Sequence, residues 1–487
     1  MSQIQISKKH IDRAMEAVAI NCFQGLEELN WSTQEGVNAP GYSAEEEKAR
    51  NVTLAMAQDM GAVSYQDESG VRYHVFRGDG AIADDAEIND KPATMILSHM
   101  DTVPNGGRFD GRAGVVVGLS AAFAVAAHHK AQGTQMSVPL VVAEFPCEES
   151  PEFGCFALGS KIATRNVSPE FVVKTKGASD GQTIFTRMNA LGMDAAKVCE
   201  NLTVGHKTLP TEHIGAAFEY HIAQSGGLLR EGVNLAPCKD VRGNVRLKTE
   251  ITFQGEGGHS GAVDMADRAS ASKAARMFMD RMDNLCDMHR QNGRDLVNTD
   301  TYISAGSKET RTTIPEYAEC WYEVRSNDDA LMEDIMTIMV STAQYVQDET
   351  GVRINLAEQG KDMLVLNKAA QLDGGLAQQF AEFATERGIS SAVRSSGAGH
   401  DAMILAQEGI PSTIILGAHG NNGISHDPQE ILGASPSAKP FSAGEAFYDA
   451  VTVLSDIILN GPATSRGKTP DGKSFEQALI ERGAKPA

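Results

Sequence analysis

Ser98 to Gly111 reads Ser-His-Met-Asp-Thr-Val-Pro-Asn-Gly-Gly-Arg-Phe-Asp-Gly, and it sets a histidine and two carboxylates where the apolar run Ala93 to Leu97 gives way to a loop. Imidazole and carboxylate together are ligands for divalent metal. On extended backbone the two-residue period puts His99 and Asp101 on one side, so the aspartate can take the ring nitrogen that a metal leaves free. Asp110 arrives on a glycine-flanked turn and can return to the same spot. Taken alone, His99 and Asp101 also suit a capped strand end and a polar turn, so the remaining chain decides.

Three further positions of the same kind follow strand-like runs: the pair Glu148-Glu149 after Val138 to Phe145, His221 within Ala216 to Gln224, and His426 in Asn422 to Pro428. Nitrogen and oxygen donors without thiolates suit zinc, manganese or cobalt in a catalytic rather than a structural site. The count allows one bridging carboxylate and two further ligands for each of two ions, an arrangement that can hold a shared water and lower its pKa. Of two adjacent glutamates on extended backbone only one can face the metals. The other is placed to take a proton from attacking water. Ser396, His400 and Asp401 have the residue types of a nucleophilic triad, but the intervening Gly397-Ala398-Gly399 reads as backbone brought close to a ligand.

The elements that must carry these groups alternate. Helical patterns at Lys9 to Leu29, at Ala49 to Gly61 behind a Ser43/Glu46 capping pattern, and at Ala113 to Lys130 are interleaved with strands at Val71 to Phe76, Thr94 to Leu97 and Val138 to Phe145. This predicts an α/β fold, doubly wound around a mostly parallel sheet. Near Val241 the pattern changes to the alternation of a half-exposed antiparallel strand, Val245 to Phe253. Helices at Ala269 to Cys286 and Asp328 to Asp348 and strands at Ala318 to Val324 and Val352 to Leu356 complete a smaller α+β, ferredoxin-like insert. The expected division is 1–242 with 359–487 for the larger domain and 243–358 for the insert. The segment from Arg165 to Pro210 shows no clear organisation.

The net charge of −21 over 487 residues argues against nucleic acid or an anionic membrane as partner, and an anionic substrate then needs local basic residues. Seven cysteines, scattered and without a CxxC pair, read as reduced thiols. The first ten residues lack a signal-peptide core and no later stretch is expected to reach membrane-span length, so a cytoplasmic location is expected.

With Phe153-Gly154, His221-Ile222-Ala223-Gln224, Gly255 to Gly261, Ser396 to Ala402 and Gly423 to His426 in one order with the motifs above, the chain resembles the amidase, hydantoinase/carbamoylase family. That family comprises N-carbamoyl-L-amino acid amidohydrolases, β-ureidopropionases and allantoate amidohydrolases, a branch of the dinuclear metallopeptidases. The resemblance spans roughly Ile96 to Pro428. It implies two divalent ions (Zn, Mn or Co) on His99, bridging Asp110, Glu149, His221 and His426, with Glu148 as general base and Asp101 as the partner of His99. It implies that His259 of the insert helps polarise the scissile carbonyl, often in the other subunit of a homodimer joined through that insert. Arg325 matches the arginine that binds the substrate carboxylate, for which a bidentate guanidinium is suited. Gln224, Thr312, Gly397 and Ala398 match further substrate contacts.

The chain departs from the family pattern at Ala223, where a glutamate is usual, at Ser150 to Glu152 after the paired glutamates, and at Thr312, where an asparagine is usual. The five ligands and the base are kept. The implied activity is hydrolysis of a linear amide or ureido C–N bond in a small carboxylate-bearing molecule. The alternatives are a dipeptidase or N-acyl-amino-acid deacylase with the same centre, or a metal-dependent binding protein without catalysis.

Overall fold

A computed structural model of the chain describes residues 3–29, 36–76, 90–136, 138–307, 309, 311–432, 446–463 and 467–487. They divide into two units, Met1–Lys239 with Gln371–Ala487, and Asp240–Ala370.

In the first unit β1 (Val63–Gln66), β2 (Arg72–Phe76), β3 (Ala93–His99), β4 (Leu140–Phe145), β5 (Ile214–Ile222), β6 (Leu235–Val241) and the strand Ser412–Gly417 belong to one sheet. Its centre is parallel, in the order β4, β3, β5 and Ser412–Gly417. Antiparallel strands extend it on both sides, β2 and β1 beyond β4 and β6 beyond Ser412–Gly417. Every residue of β3, β4 and β5 is buried, which is why these segments read as mostly apolar runs. Alternate residues serve opposite faces: Ile96, Val142 and Phe218 join one core with the helices Arg112–Gln132 and Ala446–Asn460, whereas Met95, Leu97, Val141 and Ala217 join another with Leu405 and Phe475. Both faces are therefore covered, as a doubly wound sheet requires.

The helix Arg112–Gln132 corrects one expectation. Its 21 residues do reach the length and apolar composition of a membrane span, but 67% of its apolar window is buried in the core just described. The polar stretch 165–210 holds three short helices, Pro169–Lys174, Ile184–Ala190 and Ala195–Val204. Their Val172, Ile184, Met188 and Val198 form a small core with Phe153 and Cys147, so the stretch packs over the loop that carries the paired glutamates.

The second unit pairs β7 (Gly243–Leu247) and β8 (Ile251–Gln254), laid end to end, with β12 (Tyr317–Ser326). β10 (Val297–Ala305) lies on the far side of β12, and β13 (Arg353–Ile354) and β14 (Leu364–Asn367) lie beyond β8 and β7. All these pairs are antiparallel. With β7/β8 as first strand and β13/β14 as last, the spatial order is 4-1-3-2 with crossings through the helices Ala271–Gln291 and Asp329–Thr350, a ferredoxin-like arrangement. Ala318, Cys320, Tyr322 and Val324 of β12 are buried and their neighbours are not, so one face of the sheet packs against the helices. The unit continues past residue 358 because β14 completes its sheet against β7.

Candidate metal centre

Because β3, β4, β5 and Ser412–Gly417 are parallel, their carboxyl ends share one edge of the sheet, where loops after open α/β strands bind ligands. The register aligns them: His99 pairs with Phe145, just before Glu148-Glu149, and Leu416 pairs with His221. Asp110 comes back over this edge from the loop after β3, and His426 comes from the segment after Gly417.

There the five expected ligands form two sets, His99, Asp110 and His221, and Asp110, Glu149 and His426, with the donor atoms of each set within 4.8 Å of one another. Asp110 is common to both. His221 Nε2 lies 2.9 Å and His99 Nε2 3.8 Å from Asp110 Oδ1, and His426 Nε2 lies 3.1 Å from Glu149 Oε1 and 3.4 Å from Asp110 Oδ2. Adjacent side chains on extended backbone diverge, and Glu148 turns instead toward His99, with Oε2 3.8 Å from Nε2.

The donor set fits a cation on its own chemistry. His99 Nδ1 faces Asp101 at 3.2 Å and His221 Nδ1 faces the Ile222 carbonyl at 3.0 Å, so hydrogen bonding at Nδ1 leaves each Nε2 as the lone pair. His99 Nε2 and Asp110 Oδ1 are buried without a hydrogen-bond partner, although His221 Nε2 is so close. Lone pairs and a carboxylate oxygen converging in a buried space repel one another unless a proton or a metal ion lies between them.

The charges respond accordingly. Burial opposes protonation of His99, but Asp101 holds its imidazole well above the usual range. Asp110, despite burial, is kept well below the usual carboxylate range by His221, His99 and His426. Burial pushes Glu148 well up, against His99 and with Glu149. The hydrogen bond to Glu149 lifts His426 to about 9. Divalent cations would take the place of imidazole protons, so binding releases protons and strengthens as pH rises.

Carboxylates behind the ligands fix the loops. Asp101 accepts the Glu148 N–H on one oxygen and the Glu149 N–H on the other, each at 3.0 Å. Ser43 caps the helix Ala44–Asp59 by accepting the Glu46 N–H, but the Glu46 carboxylate does not close the capping box. It accepts the N–H groups of Tyr42 at 2.6 Å and Cys147 at 3.0 Å. That bond holds Cys147 at φ +56°, a left-handed conformation rare outside glycine, immediately before the glutamate pair. Gly111 must be a glycine: at φ +64°, a Cβ there would meet the His99 ring at 2.3 Å.

The other expected site residues fall as follows. Gln224 follows β5, and its Nε2 donates to Asp110 Oδ2 at 3.0 Å, with His426 Nε2 3.3 Å away. In the Gly397-Ala398 loop, Ser396 Oγ accepts the Ala398 N–H at 3.3 Å and lies 3.0 Å from His400 Nε2. The other His400 nitrogen has no hydrogen-bond partner, so no Ser-His-Asp relay forms, and burial keeps the ring neutral. His259, Thr312 and Arg325 belong to the second unit. His259 forms β9 with Gly258, opposite Thr313 of β11 (Thr313–Ile314), and the Thr312 carbonyl accepts the Ser260 N–H at 2.8 Å. His259 Nδ1 accepts the Gly261 N–H at 3.1 Å, which leaves Nε2 as the donor of an exposed ring. Arg325 Nε pairs with Glu323 at 2.7 Å near the opposite end of β12 from the Tyr317 end that follows β11. Eight extended residues separate those ends, about 26 Å at roughly 3.3 Å per residue.

Sequence reasoning missed Ser425, whose hydroxyl donates to Asp110 Oδ2, and Glu430, whose carboxylate meets the backbone of both Asp110 and His426. Neither has a local signal beyond nearness to His426.

Residues 95–435 match the model of peptidase family M20/M25/M40. Among curated proteins the chain is 26% identical over 434 residues to an N-carbamoyl-L-amino-acid amidohydrolase of Pseudomonas sp., covering 88% of this chain and 95% of that protein. It is 27% identical over 409 residues to allantoate deiminase 2 of Glycine max, covering 79% of each. Among solved structures, an amidase of the hydantoinase/carbamoylase family from Burkholderia multivorans superposes with a TM-score of 0.73 at 22% identity, over 94% of this chain and 98% of that one. That likeness shows the shared fold.

Proposed function

Because the chain belongs to peptidase family M20/M25/M40, we propose that it is a dinuclear metal-dependent amidohydrolase that cleaves a ureido or linear amide C–N bond in a small carboxylate-bearing molecule. The observation that carries this reading is the pair of ligand sets sharing Asp110. The substrate class is supported by the relatives, whose names specify N-carbamoyl amino acids and allantoate.

His99, His221 and Asp110 would hold one ion, and Asp110, Glu149 and His426 the other. Bound there, two such ions would supply Lewis acidity to the scissile carbonyl and to the attacking water. Glu148, whose carboxylate faces the His99 side of the centre instead of joining the Glu149 set, takes the proton from that water and delivers it to the departing nitrogen. His259 donates from Nε2 to the developing oxyanion. Arg325 binds the substrate carboxylate, exchanging its contact with Glu323 for a bidentate one. Gln224, Thr312 and the Gly397-Ala398 backbone complete the binding contacts. A carbamoyl substrate would give an amine, carbon dioxide and ammonia.

A homodimer joined through Asp240–Ala370 accounts for His259 and Arg325 lying so far apart within one copy, since different copies can then supply them to one substrate. The net charge of −21 supports a small-molecule substrate over nucleic acid or an anionic membrane, and the seven cysteines without a CxxC pair are in keeping with a cytoplasmic location.

A substrate panel on protein reconstituted with zinc, manganese or cobalt tests this function. Ammonia release from N-carbamoyl amino acids or allantoate is expected. Turnover confined to dipeptides or N-acyl amino acids would overturn the substrate class, and failure of every metal to restore chelator-stripped protein would overturn the centre.

A further inference from the structure

Glu430 lies outside the ligand set, yet it is 4% exposed and sits between two ligands 316 positions apart in the chain, Asp110 and His426. Its Oε2 accepts the N–H of Phe109 at 3.0 Å and that of Asp110 at 3.3 Å. Its Oε1 accepts the His426 N–H at 3.1 Å and lies 3.4 Å from Ser425 Oγ, whose own proton goes to Asp110 Oδ2. One carboxylate thus joins the turn that carries the shared ligand to the segment that carries the most exposed one.

The chain makes room for it. A Cβ on Gly107 would fall 1.8 Å from Glu430 Cδ and 1.9 Å from Oε2, so the carboxylate fills the space of a missing side chain in the Asp110 loop. His426 needs such a hold. Its φ is +58°, its side chain is 45% exposed, and the preceding Asn421 and Asn422 are also left-handed. A left-handed φ is one that residues other than glycine rarely adopt, and the bond from the His426 N–H to Glu430 ties down the backbone that aims the ring at Asp110 and Glu149.

Resting on the dinuclear reading above, we infer that Glu430 is a positioning residue: it fixes the spacing between Asp110 and His426 and so sets the affinity of the cation shared by Asp110, Glu149 and His426. The other set, with His99 and His221 on buried strand ends, depends on it less. Removal of an oriented group behind metal ligands typically costs about 10–100-fold in affinity.

The test titrates metal-free wild type, Glu430→Gln and Gly107→Ala with cobalt, followed by its visible absorption and by calorimetry. The wild type is expected to take up two equivalents. In both variants the second equivalent weakens about 10–100-fold, and the loss in kcat is rescued by raising the cobalt concentration. The double variant should be no weaker than the worse single one, because both changes break one contact. Should Glu430→Gln not fold, Gly107→Ala, which keeps the carboxylate but displaces it, carries the same test. A wild type that binds two ions beside variants that bind both as tightly overturns this inference alone. A wild type that binds only one overturns the dinuclear reading and this inference with it.

Discussion

Asp101 is the side chain whose removal should reach furthest, because three donors converge on one fully buried carboxylate. The N–H groups of Glu148 and Glu149 take one oxygen each at 3.0 Å, and His99 Nδ1 lies 3.2 Å from Oδ1. Asp101→Asn keeps the shape and offers one acceptor oxygen in place of two. Whichever way the amide turns, its NH2 faces a peptide N–H and leaves that donor without a partner, at a cost of about 1–3 kcal/mol. The remaining bonds lose their charge assistance, roughly half their strength each. Relief of the repulsion between Asp101 and Glu46 offsets part of this, and a net loss of about 2–4 kcal/mol follows. The same change removes the negative charge that orients and polarises His99, so cation affinity should fall about 10–100-fold. Urea unfolding of metal-free protein measures the first quantity, and cobalt titration the second. An Asp101→Asn variant that unfolds within about 0.5 kcal/mol of wild type and binds cobalt as tightly would refute the reasoning, since the clamp would then contribute to neither quantity.

Other outcomes separate the roles of the remaining groups. Glu148→Gln should keep both cations and wild-type stability while kcat falls about 10²–10⁴-fold, as removal of a general base does; loss of metal along with rate would make Glu148 a ligand instead. Glu148→Gln and His259→Ala, each inactive, should regain about a quarter of wild-type activity when co-refolded as a random mixture of dimers, and no recovery would place His259 in its own copy's site. Away from the centre, Glu144 is buried, which disfavours its charge, yet His74, Arg72 and Arg50 bring its pKa down to about 2 from the ordinary 4.5. A carboxyl depressed on folding contributes stability above the unfolded value and loses it as pH falls toward the folded one. The contribution is about 3 kcal/mol at neutral pH, of which about 1.4 kcal/mol is gone by about pH 3.5. Glu144→Gln should flatten stability over that acid range, as read by urea midpoints; an unchanged slope would assign the acid loss to other carboxylates.

The parallel strands of the first unit were legible because burial on both faces leaves their composition no freedom, and β3, β4 and β5 are apolar almost from end to end. β10 is illegible in the sequence for the opposite reason. Eight of the nine residues Val297 to Ala305 are exposed at the edge of their sheet, so no alternation marks them. In the sequence β7 and β8 look like one strand because the apolar alternation resumes in phase on the far side of residues 248–250. The helices within 165–210 are six to ten residues long and share their core with Phe153 and Cys147, and such short amphipathic pieces carry little periodicity of their own.

The site divides along the same physical line. A ligand must be a histidine or a carboxylate at a strand end, and four such ends in one parallel sheet leave few arrangements, so His99, Asp110, Glu149, His221 and His426 could be picked out before any coordinates. The groups that hold them in place obey no such restriction. Glu46 occupies an ordinary capping position, and only the approach of Cys147, 101 residues on, turns its carboxylate toward the glutamate loop. Glu430 acts across 320 residues on the Asp110 N–H. Their partners are backbone N–H groups, which every residue except proline supplies, so the sequence at the receiving end carries no mark of the contact. What remains visible is the space such a contact requires. Gly107 has no left-handed φ that would demand a glycine, and its missing side chain is explained by the Glu430 carboxylate that takes that place. A glycine that no turn requires, near a metal ligand, is therefore the local trace that a distant supporting group leaves in a sequence.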